Sequence, residues 1–286
     1  MHQTGARGGP PGGLGARLRD SNAGPPVVDS EVMTTETDAP EVTTPEASAP
    51  AVAAPPTIGE GDRVEVLDHG FVRLDASMAD DLSVANAARV SFARRKEELD
   101  DADRGLIRFL MRDRHGTPFE HNSFRFHIRC PIFVAREWMR HRIGSFNEFS
   151  LRYARATDDF YVPDAADVRS QVGKPGAYSF EPVDDDLASE TQVELRKVYD
   201  VAYETYTALV EKGVARELAR SVLPVGAYTE FYWTVNARSL MNFVSLRAAE
   251  TAQREIRRYA LAVEAFLARE MPVTYAAFIA NDRTGP

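Results

Sequence analysis

Phe124-Arg125-Phe126-His127-Ile128-Arg129-Cys130-Pro131 alternates apolar with polar side chains up to Arg129. A period of two marks a β-strand with one face in a core and the other in water. A second run, Tyr228 to Val235, is aromatic and β-branched and reads as another strand. Upstream, Arg63 to Leu67 and Phe71 to Leu74 alternate around the turn-like triplet Asp68-His69-Gly70, which predicts a β-hairpin.

Around these strands the period turns helical. Leu82 to Phe92 is Ala-rich, and Asp103 to Arg112 sets Leu106, Ile107 and Leu110 at helical spacing before His115-Gly116-Thr117-Pro118 stops it. Pro131 suits the first turn of a helix over about Ile132 to Ile143, where its missing N–H costs nothing. Gly144 to Tyr153 has no helical period and is expected to be an ordered loop, and Asp158 to Glu190 an exposed excursion. Gln192 to Lys212 is a long amphipathic helix ended by Gly213, and Val214 to Leu223 a shorter one stopped by Pro224. Helical spacing returns from Ala237 to about Ala249 and again as far as Glu270.

The 286 residues are 44% hydrophobic and 27% charged, enough apolar content for one substantial core. Residues 1–58 differ: they hold nine of the 17 prolines and seven of the 18 glycines, with no Phe, Trp or Tyr. Such a stretch buries too little to offset its chain entropy, so it is read as a disordered tail before a folded domain over 59–286. No signal-like or membrane-length apolar run occurs, so a cytoplasmic protein without membrane association is expected. A start at Met33 would leave the folded part intact. The net charge of -9, of which the tail carries -4, opposes non-specific nucleic-acid binding. Cys130 is the only cysteine, which excludes an intramolecular disulfide and a Cys-rich metal site; it is expected to be buried and inert.

The densest polar cluster is Arg140-His141-Arg142-Ile143-Gly144-Ser145-Phe146-Asn147-Glu148-Phe149-Ser150-Leu151-Arg152-Tyr153. Cations at a helix C-terminus are favoured by its dipole, which accounts for the first three. The interleaving of Ser145, Asn147, Glu148, Ser150 and Arg152 with apolar residues is instead the pattern of a pinned loop that offers donors to a ligand. A second cluster places Arg247 at i+7 from Leu240, on the apolar stripe that includes Phe243 and Val244. A guanidinium there needs a partner: a carboxylate such as Glu250, exit to the surface, or an anionic ligand. Arg238 and Asn242 share the other face, and Asn236 stands where a helix N-cap belongs.

The first cluster matches, position by position, the signature of flavin-dependent thymidylate synthases: Arg-His-Arg, two residues, Ser, four, Ser, one, Arg-Tyr. The chain resembles that family from about Gly61 to Ala280, most densely over His115 to Tyr153 and Arg216 to Ile256. The resemblance implies an α+β fold, a mostly antiparallel sheet with flanking helices, assembled as a homotetramer with sites shared between subunits. It implies dUMP as substrate, FAD as cofactor, and NADPH and 5,10-methylenetetrahydrofolate as co-substrates.

By the same resemblance, Arg247 contacts and polarises the uracil ring; Thr117, Arg140, His141, Arg142, Ile143, Glu148, Asn236, Arg238 and Asn242 border the flavin; and His115 lies on the folate side. The nucleotide pocket would be drawn from Glu137, Trp138, Met139, Arg140, Glu148, Phe149, Ser150, Leu151 and Arg152, with Arg220 reaching the phosphate across a subunit boundary. The chain departs from some members at Glu137, where they have Gln, and at Thr251, where they have His. Two rival readings are an arginine-rich RNA-binding module, which the net charge opposes, and a flavoprotein of another reaction type.

Overall fold

The computed structural model describes residues 55–174 and 177–286. The expected tail, apart from its last four residues, lies outside the described residues. The first two strands, β1 (Arg63–Val66) and β2 (Gly70–Met78), form the expected hairpin and are followed by α1 (Asp81–Arg89), α2 (Asp101–Arg112) and the short α3 (Thr117–Glu120). Then come β3 (Ser123–Pro131), α4 (Ile132–Trp138), β4 (Ser145–Glu148), β5 (Arg169–Lys174), β6 (Ala177–Pro182) and α5 (Asp185–Glu211). The chain closes with α6 (Arg216–Ala219), β7 (Tyr228–Asn236), α7 (Ala237–Arg247), α8 (Arg254–Glu270) and α9 (Pro272–Ala280).

Five strands form an antiparallel sheet in the order β1-β2-β3-β7-β4, while β5 and β6 make a separate exposed ribbon. The alternation in β3 does what its period requires. Phe124, Phe126, Ile128 and Cys130 are fully buried, paired beside Val235, Trp233, Phe231 and Thr229 of β7. The opposite face carries Arg73, His127 and Glu230, with His127 between Arg73 at 3.0 Å and Glu230 at 2.9 Å. An arginine can only donate, so the His127 Nδ1 accepts and its Nε2–H donates to Glu230. The buried face is covered by α7 and α8, whose Leu240, Phe243, Val244, Tyr259, Val263 and Phe266 are fully buried. The fold is α+β, as the resemblance implied.

Four of the elements that differ from the sequence reading do so for a clear local reason. α4 stops at Trp138 instead of running to Ile143, because the next amides turn back: Arg140 N donates to Glu137 O and His141 N to Trp138 O. Ser145–Glu148, expected as loop, is an edge strand held to β7 by backbone pairing although its side chains do not alternate in burial. α5 begins seven residues before Gln192, because Asp184 caps it through Leu187 N and Asp185 and Asp186 suit the positive end of its dipole. α9 escaped notice because it is apolar on nearly every side and shows no amphipathic period.

The start of α9 is secured from another helix. The Asp81 carboxylate, buried at the start of α1, accepts from Val273 N and Thr274 N at 2.8 Å each and from Thr274 Oγ1 at 2.6 Å. These satisfy backbone donors that a helix N-terminus leaves open. Asp81→Ala is therefore expected to cost about 1.5–3 kcal/mol, the range for hydrogen bonds to charged groups. Urea unfolding measures it, and a loss below about 0.5 kcal/mol would remove Asp81 from this role.

Candidate active site

Arg247 ends α7 and is mostly shielded, with its side chain about one-fifth exposed. Its Nε donates to His141 Nε2 at 2.9 Å and its Nη1 to Glu137 Oε2 at 3.3 Å. The carboxylate partner is thus Glu137 on α4 and not Glu250, which instead lies 3.9 Å from Arg257. Burial, together with the neighbouring Arg247 charge, pulls the His141 imidazole down to about 4. His141 is therefore neutral near pH 7, with its proton on Nδ1 and Nε2 free to accept.

Arg247 and His141 belong to the wall of a cleft of about 520 Å³ shared with Arg140, Arg142, Ile143, Arg238 and Asn242. Seven of the expected residues meet there. The wall also includes Glu120, Ser239, Leu246 and Pro286, which sequence reasoning did not single out. Arg238 is fixed by Glu120 at 2.6 Å and by the Pro286 carbonyl at 2.9 Å. A Cβ on Gly116 would lie 2.4 Å from Arg238 Nε, so this glycine serves close approach. Gly116 was the available signal: a residue without a side chain in the helix-start segment His115-Gly116-Thr117-Pro118.

Among the described residues Arg140 and Arg142 make no ion pair. Four guanidinium groups line the cleft against Glu120 on the wall and Glu137 behind Arg247, so cationic donors are in excess. Arginine forks suit phosphate oxygens, and the donor set fits the diphosphate of a flavin dinucleotide beside an anionic nucleotide.

The remaining expected residues lie elsewhere. Thr117 is exposed at the first position of α3, beside Gly116, and the Asn236 side chain is engaged in capping α7 through Ser239 N at 2.9 Å. The Trp138 side chain is fully buried in the core, Met139 packs against it, and only Glu137 of that trio reaches Arg247. Glu148 and Phe149 line a separate hollow of about 240 Å³ with His127, Asn147 and Tyr232; Glu148 accepts from Thr229 Oγ1 at 2.8 Å. Ser150 and Leu151 are half-buried in the following turn, where Ser150 Oγ accepts from Arg152 N. Arg152 and Arg220 flank Glu217: Arg152 Nε lies 3.5 Å from its carboxylate, and Arg220 Nε donates to its carbonyl. In one chain, then, the cationic residues fall into two sets, the cleft and the Arg152–Arg220 group.

Cys130 sits on the buried face of β3, where burial pushes its thiol well above the usual range. It supplies no thiolate near neutral pH.

An antiparallel sheet covered by helices, with a cleft lined by four arginines, defines a class of protein suited to anionic ligands. Comparison with known proteins makes this specific. The family model described as thymidylate synthase complementing protein matches residues 73–273. The flavin-dependent thymidylate synthase of Thermosipho africanus is 47% identical over 215 residues, 75% of this chain and 93% of that protein. That of Thermus thermophilus is 45% identical over 75% of this chain and 77% of its own length. The crystal structure of PolB, a UMP/dUMP methylase from Streptomyces cacaoi bound with 5-Br dUMP, superposes with a TM-score of 0.72 at 46% identity, covering 78% of this chain and all of that one. The chain belongs to the thymidylate synthase complementing family, whose members are flavin-dependent.

His141 carries a pH signature. Its folded-state value is depressed below the unfolded one, so its contribution to stability is fully present above about pH 6.5 and is lost as the pH falls towards 4. Imidazole NMR should place its midpoint near 4, and Arg247→Gln should raise it only partway, since burial is the larger cause. A midpoint at 6 or above in the parent protein would refute the neutral-acceptor geometry.

Proposed function

We propose that the chain converts dUMP to dTMP with 5,10-methylenetetrahydrofolate as one-carbon donor, without an enzymic nucleophile. The observation that carries this is the Arg247 guanidinium, held by neutral His141 and by Glu137 at the wall of a cleft where Arg140 and Arg142 make no ion pair among the described residues. Bound FAD, reduced by NADPH, supplies the hydride that completes the methyl group.

The work left to the protein is to raise electron density at C5 of the pyrimidine and hold the reactants. Arg247 has Nη2 free of any hydrogen bond among the described residues, so it retains donors for a ring carbonyl. A fixed cation in a shielded site stabilises negative charge as it develops on that oxygen, which activates the ring without a covalent bond. Cys130, the only thiol, is sealed in the sheet and cannot attack C6.

Arg140, Arg142, Ile143, Arg238 and Asn242 would hold the flavin, and the family resemblance adds Thr117 and Asn236. Glu137, the Trp138–Met139 backbone, Glu148, Phe149, Ser150, Leu151, Arg152 and Arg220 would serve the nucleotide. The division of these residues into two sets within one chain supports a homotetramer in which one subunit's Arg152 and Arg220 complete another's cleft. Exposed Ile143, Leu246 and Phe149 beside these sets fit burial by a neighbouring subunit. Residues 59–286 form the catalytic domain and 1–58 an appended tail. No helix among the described residues is long and apolar enough to cross a membrane, which agrees with action in the cytoplasm.

The purified protein should be yellow, its flavin band bleaching with NADPH, and dTMP should form only when dUMP and methylenetetrahydrofolate are both present. Arg247→Ala is expected to keep the flavin band and lose about 100-fold or more in dTMP formation, the scale for removing one preorganised donor. Cys130→Ala should turn over within about twofold of the parent, because no step uses the thiol. Parent-like turnover in Arg247→Ala would defeat the assignment.

A further inference from the structure

Outside the cleft, the exposed face of α2 carries an arrangement the reaction chemistry does not use. Arg104, Arg108 and Arg112 stand at i, i+4 and i+8, all exposed, and so form one cationic stripe roughly 12 Å long at 1.5 Å per residue. Like charges at this spacing repel and weaken a helix. Only the ends have counter-ions: Asp101 lies 3.7 Å from Arg104 and Asp113 2.8 Å from Arg112, while Arg108 makes no ion pair among the described residues.

Beside the stripe is a hollow of about 390 Å³ lined by Gly105, Arg108, Phe109, Arg112, Ala280 and Asn281. Gly105 is a poor helix former, yet a Cβ there would meet nothing within 4 Å, so packing does not demand it. Its effect is to leave the floor of the hollow open. Phe109 is 42% exposed there, so part of its ring is open to a ligand beside the cations. One helix face thus breaks two local rules, charge spacing and propensity, and local conflicts of this kind concentrate at functional sites.

Two chain segments link the walls of the hollow and the cleft. Phe109 packs edge-to-face on His115, ring centroids 5.4 Å apart, and His115 opens the turn whose Gly116 lies against Arg238. Asn281 on the other side begins the segment that ends at Pro286, whose carbonyl holds Arg238. A ligand whose reactive end occupies the cleft could continue past His115 and Phe109 onto the arginine stripe.

We propose that this face of α2 binds the γ-linked glutamate tail of the folate co-substrate, with Phe109 against its p-aminobenzoyl ring and Arg112, Arg108 and Arg104 receiving successive carboxylates. The inference rests on the folate-dependent activity proposed above. A γ-linked tail presents one free α-carboxylate per glutamate and a γ-carboxylate at its end, a repeating anion for a repeating cation. Arginine forks bind carboxylates in pairs of hydrogen bonds, and a chain of such contacts gains affinity together where one exposed pair contributes little.

The test uses the flavin-loaded enzyme with the mono- and pentaglutamate forms of methylenetetrahydrofolate and the variant Arg104→Gln/Arg108→Gln. The parent should show a KM at least tenfold lower for the pentaglutamate, a ratio that shrinks as salt rises. In the variant the ratio should fall to within about twofold of unity, with kcat and the monoglutamate KM unchanged. Equal KM values in the parent, or a variant that keeps the parent's ratio, would overturn the tail site while dTMP formation still upheld the activity. Absence of dTMP with either folate would overturn the activity and the tail site together.

Discussion

Trp138 stacked on Phe243, with ring centroids 4.7 Å apart, is the contact on which the site depends. Both side chains are fully buried, and Trp138 also meets Phe231, Trp233 and Tyr259 edge-on. Aromatic pairs contribute about 0.5–1.5 kcal/mol each beyond their buried area, and this group ties the end of α4 to the middle of α7 and to the sheet beneath. Glu137 precedes Trp138, His141 follows by three residues and packs edge-on against Phe243, and Arg247 lies one turn beyond Phe243. The apolar lock therefore decides that a carboxylate, an imidazole and a guanidinium meet.

Once they meet, their charges constrain one another. A shielded guanidinium without partners would be costly, and a carboxylate alone would neutralise the cation that the chemistry requires. His141 resolves this as a neutral acceptor: it orients Arg247 through Nε without cancelling its charge. The same Arg247 charge, added to burial, keeps the imidazole unprotonated, so each group maintains the state the other needs. Protonating His141 would place two cations in hydrogen-bond contact, which links acid sensitivity directly to Arg247.

Strands and helices with strong side-chain periods were legible from sequence. β3 alternates cleanly, and Arg247 stood out because a cation interrupts an apolar stripe. β4 was not legible, because its order comes from backbone pairing to β7, a partner about 90 residues away, and its own side chains carry no pattern. Nor could local spacing select Glu137 over Glu250 as the carboxylate on Arg247, since that choice is made by the Trp138–Phe243 packing. Glu120 and Pro286 were missed for the same reason: they reach the cleft only through tertiary contact with Arg238. The short signature from Arg140 to Tyr153 was dense enough to name the family, but within one chain its two ends fall in different places.

That separation, together with the position of Cys130, narrows how a pyrimidine can be activated here. A thiolate must be accessible and electrostatically supported; Cys130 instead faces the core of a five-stranded sheet, where burial and the Glu148 carboxylate both disfavour its ionised form. Freeing it would require opening β3, the strand that pairs with β2 on one side and β7 on the other. The cleft, by contrast, presents cations that need no conformational change to act on a ligand's oxygens. Electrostatic activation is therefore the course this architecture leaves open, and because it depends on charge density, its strength is set by the four guanidinium groups that line the cleft.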